Sequence, residues 1–143
     1  MKIMIFGPHN SGKTSLLNKI TKINCTVSEI KPTVGIEYGT CNLNNNKLHF
    51  FDISGQEKFL LLLGLYIKDI NYFVLVYDLT SKSNMKDVIY WINYIQRYED
   101  INNVPILLVG NKLDCNNIYH LDFNNEILNY INIVEHLKIS AIN

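Results

Sequence analysis

Gly7-Pro8-His9-Asn10-Ser11-Gly12-Lys13-Thr14 follows directly on the apolar run Ile3-Met4-Ile5-Phe6 and leads into Lys13 to Ile23, where Leu16, Leu17 and Ile20 recur at helical spacing. The stretch fits G-x-x-x-x-G-K-[ST], and it stands where a phosphate-binding loop must stand, between a buried strand and an amphipathic helix. Glycines at its two ends allow torsions and close approach that a side chain would block, so that successive backbone N–H groups of His9, Asn10, Ser11 and Gly12 can point at one anion. The helix opening at Lys13 adds the positive end of its dipole, beside Thr14 and Ser15. In such loops the lysine reaches the terminal phosphates and the Thr14 hydroxyl can hold Mg²⁺.

Outward from this loop, the chain alternates strands and helices. Lys2 to Phe6 reads as a buried strand, and Asn24 to Pro32 loses periodicity. Val34 to Leu43 and Leu48 to Ile53 are rich in β-formers and joined across Asn44-Asn45-Asn46, which tolerate left-handed turn torsions, so they form a hairpin. Glu57 to Lys68 predicts a helix with a leucine cluster; Tyr72 to Tyr77 is a continuous apolar strand of the kind buried on both faces. Val88, Trp91, Ile92 and Ile95 give Met85 to Tyr98 one apolar helical stripe. Pro105 to Val109 predicts a strand, Phe123 to Ile131 a weak helix and Val134 to Ile139 a last strand. The expectation is a doubly wound α/β fold: a six-stranded, mostly parallel sheet with one antiparallel edge strand, helices on both faces, and ligand loops at the strands' carboxyl ends. With 143 residues and neither linker nor repeat, residues 1–143 read as one domain.

Composition narrows the function. Lys plus Arg equals Asp plus Glu at 13 each, so no net field favours nucleic acid or anionic lipid. Cys25, Cys41 and Cys115 include no C-x-x-C pair and read as reduced thiols of a cytoplasmic, soluble protein. No apolar run approaches the roughly 20 residues of a membrane span. The chain enters its first strand at once and ends without a cysteine, so the expectation is no signal peptide, no lipid anchor, and membrane association only through partners.

Four further polar stretches fall where strands meet loops. Lys31-Pro32-Thr33-Val34-Gly35 precedes the first hairpin strand, and Asp52-Ile53-Ser54-Gly55-Gln56-Glu57 ends the second. Asn111-Lys112-Leu113-Asp114 follows Pro105 to Val109, and Ser140-Ala141 follows the last strand. An Asp carboxylate such as Asp114 only accepts hydrogen bonds, so it suits a ligand edge that presents paired N–H donors and leaves one without them unpaired. A site built on such bonds rejects the ligand lacking those donors by as much as ~10⁴-fold.

With these five motifs in order, the chain resembles the Ras superfamily of small GTPases, P-loop NTPases by fold, over essentially its whole length. The resemblance implies that Lys13 binds the β- and γ-phosphates, that Thr14 and Thr33 ligate Mg²⁺, and that Asp52 holds the ion through water. It implies that the Gly55 N–H senses the γ-phosphate and that Gln56, with Lys13 and Thr33, serves hydrolysis of GTP to GDP by orienting the attacking water. Asn111 and Asp114 would read guanine, Lys112 would pack along the base, and the Ala141 N–H beside Ser140 would face the ring oxygen. A slow GTP/GDP switch in vesicle traffic or signalling follows, served by a GTPase-activating protein, an exchange factor and effectors.

The chain also departs from that pattern. Small GTPases usually carry a helix after the Ser-Ala motif, whereas here two residues follow it, so an exposed apolar patch covered by a partner or a dimer is expected. His9 takes a position that is glycine in Ras proteins, where it either obstructs an incoming arginine or points to solvent. This keeps open a catalytically weak, nucleotide-bound scaffold. Gly55-Gln56-Glu57-Lys58-Phe59 and Val76-Tyr77-Asp78-Leu79-Thr80 look Rab-like, while the short spacing from Thr33 to Asp52 looks Arf-like.

Overall fold

The structure is a computed structural model and describes residues 1–24, 31–33, 35–56, 60–98, 103–121 and 132–142. Its elements in order are β1 (Lys2–Phe6), α1 (Lys13–Asn24), β2 (Lys31–Thr33), β3 (Ile36–Leu43), β4 (Asn46–Ile53), α2 (Leu60–Tyr66), β5 (Tyr72–Asp78), α3 (Asn84–Ile95), β6 (Ile106–Asn111) and β7 (Ile133–Lys138). The helix expected over Phe123 to Ile131 lies outside the described residues, as do Val34 of the first expected hairpin strand and Glu57 to Phe59 of the expected Glu57 to Lys68 helix.

The strands form one sheet in the order β2-β3-β4-β1-β5-β6-β7. All six expected strands are present, mostly parallel, with β3 the one strand running against its neighbours. One point is corrected: the three-residue β2 pairs antiparallel with β3, so the sheet has seven strands and β3 is not its edge. The β3–β4 hairpin closes at Asn44 and Asn45, with φ of 49° and 65°, between the paired Leu43 and Asn46. Two successive positive φ values suit the twist of a two-residue hairpin, and Asn tolerates them better than branched residues do.

Apolar alternation splits the core over the two sheet faces. On one face Phe6, Phe73, Leu75 and Tyr77 pack against Val88, Trp91, Ile92 and Ile95 of α3 and Leu63 of α2. Phe6 stacks edge-on to both Phe73 and Trp91, at 5.6 and 5.9 Å between ring centroids. On the other face Leu16 and Leu17 of α1 cover Ile3, Ile5, Phe50 and Val76, with Ile20, Val74, Leu107 and Ile139 partly buried at the margin of this cluster. Helices therefore lie on both faces, and the carboxyl ends of β1, β4, β5 and β6 open on the same rim.

Cys115 is free and exposed. Cys41, buried in β3, is disulfide-bonded, which corrects the expectation of a reduced thiol there.

Candidate functional site

A cavity of about 530 Å³ opens on this rim, lined by the loop after β1 (His9, Asn10, Gly12), the first turn of α1 (Lys13, Thr14, Ser15), Gly35 to Glu37, Asp52, Ser54, Gly55 and Lys112. The loop after β1 takes torsions few residues accept: φ is 136° at Gly7, 61° at Asn10 and 89° at Gly12. Sterics demand glycine as well, since a Cβ on Gly7 would fall 2.1 Å from the Val76 carbonyl oxygen. The wall opposite is equally close, because a Cβ on Gly55 would sit 2.4 Å from the His9 nitrogen.

Lys13 is buried and donates to the Gly7 and Pro8 carbonyls at 3.1 and 2.6 Å, which curls its ammonium back over the loop. Burial pushes its pKa down to about 8, against the pull of Asp52. Asp52 is pushed up to about 6, chiefly by burial; the Thr14 hydrogen bond and Lys13 oppose this, and Glu37 adds to it. The two groups thus stand as an ammonium and a carboxylate that the fold has stripped of water, a state that a phosphate and a cation would relieve.

Mg²⁺, implied by the resemblance, can be tested against these atoms. Thr14 Oγ1 donates to Asp52 Oδ2 at 2.6 Å, while Asp52 Oδ1 is buried and has no hydrogen-bond partner among the described residues. No group of three or more His, Cys, Asp or Glu that could hold a metal occurs among the described residues. One carboxylate and a hydroxyl with acceptor capacity to spare fit Mg²⁺, which keeps waters and shares phosphate oxygens rather than taking an all-protein cage. Thr33 lies on β2, its backbone paired with Ile36, which lines the cavity, but its side chain is outside the described residues.

Asn111, at the end of β6, ties two loops together. Its Nδ2 donates to the Ser11 carbonyl at 2.9 Å, and its Oδ1 accepts from the Ala141 N–H at 2.9 Å. The amide is buried and its two ends are engaged, so in this structure Asn111 is a strut holding the phosphate loop in register with the Ser140-Ala141 turn. Lys19 secures the same turn by donating to the Ser140 carbonyl at 3.3 Å. The Ser11 hydroxyl beneath the loop is buried with no partner among the described residues.

Gln56 and Asp114, also expected at the site, are not among the residues that line the cavity. Gln56 is exposed at the rim, its N–H 3.4 Å from Ser54 Oγ. Asp114 is exposed two residues beyond Lys112, with the Cys115 thiol 4.0 Å from its carboxylate, and does not line the cavity. The cavity therefore brings together the loop after β1, Asp52, Ser54, Gly55 and Lys112, and leaves Gln56 and Asp114 outside its lining. Glu37 was not anticipated: it stands opposite Asp52 in the β3–β4 register and lines the same cavity.

The chain matches the Ras family over residues 2–143. It is 34% identical over 119 residues to human Ras-related protein Rab-12, covering 80% of this chain and 48% of that protein. Over 121 residues it is 31% identical to RABA1c of Arabidopsis thaliana, covering 82% of this chain and 55% of the relative. Over 117 residues it is 34% identical to Rab-11C of Dictyostelium discoideum, covering 79% and 51%. The chain thus spans about half the length of the relatives it matches.

Proposed function

Because the chain belongs to the Ras family, and is Rab-like within it, we propose that it is a GTP-binding molecular switch that hydrolyses GTP slowly and serves vesicle traffic or signalling. The observation that carries this reading is the shared cavity: the phosphate loop, the Asp52-to-Gly55 loop and Lys112 surround one space although they are far apart in the chain.

Within that space the residues divide the work. Backbone N–H groups of the loop between Gly7 and Thr14 bind phosphate oxygens, and Lys13, already desolvated, leaves its carbonyl partners for the β- and γ-phosphates. Thr14 and Asp52, with Thr33, would hold Mg²⁺, which when bound neutralises charge on the phosphates. Gln56 orients water at the rim, and the Gly55 N–H reports the γ-phosphate. Two loops that meet one phosphate are ordered by it and released on its loss, which is how a hydrolysis becomes a signal to effectors. An exchange factor and an activating protein set the two directions.

Asp114 specifies guanine in this reading, and Asn111 supports it by fixing the loops on either side. The test is to identify by chromatography the nucleotide that co-purifies with the chain, then repeat with Asp114→Asn. Guanine nucleotide in the parent and acceptance of xanthine nucleotide in the variant are expected; adenine nucleotide in the parent overturns the assignment.

A second reading is favoured by His9, which is exposed and lines the cavity beside Gly55. If its ring obstructs the γ-phosphate side, the chain is a nucleotide-bound scaffold that works through protein contacts. Phosphate release that is unchanged by Gln56→Leu marks the scaffold, and release that falls marks the switch.

A further inference from the structure

Strand β5 ends on Asp78, whose two carboxylate oxygens both accept hydrogen bonds. Its Oδ2 accepts from Lys112 Nζ at 2.6 Å, and its Oδ1 accepts from the Thr80 N–H at 2.8 Å and the Thr80 hydroxyl at 2.7 Å. Asp78 pairs with Asn111 across β5–β6, so Lys112 emerges one residue past the paired end of β6. Its backbone turns there, with φ of 69°, and Lys112 lines the cavity.

We propose that Asp78 is a positioning residue for the nucleotide: it holds Lys112 so that the lysine stem forms a fixed wall for the base and ribose. The inference rests on the guanine-nucleotide reading above. A free lysine side chain samples many rotamers, and restricting them at the moment of binding costs entropy. Here a charge-assisted bond restricts them beforehand, and two Thr80 donors keep the carboxylate from turning away. An exposed ion pair would contribute little. This one is half-sheltered, with side chains 34% and 20% exposed, which limits its competition with water. Burial works against the charged form of Asp78, yet the Lys112 and Thr80 hydrogen bonds outweigh it and hold its pKa below the usual value.

A double-mutant cycle tests the relay, with release of a fluorescent GDP analogue measured for the parent, Asp78→Asn, Lys112→Met and the double variant. Asp78→Asn is expected to speed release by ~10-fold or more in the parent, the scale of one charge-assisted hydrogen bond, and by little once Lys112 is methionine. Binding of inorganic tripolyphosphate, measured by calorimetry, is expected to stay unchanged, because the phosphate loop does not touch Asp78. Thr80→Val, which keeps the charge and removes one donor, is expected to give an intermediate acceleration, and it replaces Asp78→Asn if that variant does not fold. Equal acceleration in both lysine backgrounds, or weakened tripolyphosphate binding, would overturn the relay while leaving the guanine reading intact. A parent that binds no guanine nucleotide overturns both.

Discussion

Thr14 and Asp52 share a short hydrogen bond, 2.6 Å from hydroxyl to carboxylate, at the mouth of a cavity where the other oxygen of that carboxylate is buried without a partner among the described residues. The hydroxyl is thus turned toward a group that carries more acceptor capacity than the chain uses. A divalent cation would reverse that arrangement, with the hydroxyl oxygen facing the ion and the carboxylate gathering its waters. Removal of metal from the loaded protein with a chelator is expected to speed GDP release. In Asp52→Asn, metal affinity is expected to fall by roughly 10- to 100-fold, the usual scale for a group that supports ligands, so chelation adds little. Stopped-flow release with and without chelator checks this; a parent indifferent to chelation contradicts it.

Gly12 faces the Asn111 strut so closely that a Cβ would lie 2.1 Å from Asn111 Nδ2, and its φ of 89° is foreign to alanine. Gly12→Ala must therefore displace the amide that joins Ser11 to Ala141. Asn111→Ala removes the same bridge and leaves a buried carbonyl and N–H without it, at about 1–3 kcal/mol each. Both variants are expected to unfold at lower denaturant and to lose nucleotide, with the double variant little worse than either single one. Additive losses in urea titrations would show that glycine and strut act separately.

Much of this was legible in the sequence. The strands, the α1 and α3 stripes and the Asn44-Asn45 turn follow from period, apolar run and turn chemistry, which are local properties. The tight turn between β1 and α1 was legible because Gly7 and Gly12 take torsions and close approaches that a side chain would block. The roles of Asp78 and Glu37 were not, since each depends on a neighbour supplied by another strand: Lys112 past β6 for one, Asp52 across the hairpin for the other. β2 was missed for a related reason: three residues carry no period, and only their pairing with Ile36 to Tyr38 makes them a strand.

The edge strand β7 carries a titratable contact to the core. His136 Nε2 and the Tyr77 hydroxyl are 2.8 Å apart, and burial together with Lys138 holds the imidazole pKa below its ordinary value of 6.5. A histidine harder to protonate when folded binds fewer protons than the unfolded chain, so its contribution is complete above about pH 6.5 and is lost as pH falls below it. His49 is shifted the same way, so the comparison must be made by difference. The drop in urea midpoint from pH 7.5 to pH 5 is expected to be smaller in His136→Gln than in the parent. An equal drop would remove His136 from the account.

The proposed hydrolysis has no arginine of this chain at the cavity. The chain's single arginine, Arg97, lies beyond the end of α3, where its guanidinium sits 5.3 Å from the centre of the Tyr94 ring and does not line the cavity. Lys13 is then the cation at the cavity best placed to meet charge that builds on the transferring phosphoryl group, and Lys112 is held by Asp78. Without an arginine the family's chemistry runs on the order of 10⁻⁴ s⁻¹, and a partner's arginine raises it by up to ~10⁵-fold. Single-turnover phosphate release from the purified, GTP-loaded chain is expected near the lower figure. His9→Gly is expected to leave that intrinsic rate within a few-fold while opening the path for a partner's arginine beside Gly55. Release near 1 s⁻¹ from the chain alone would mean that some group already inside the cavity does the arginine's work.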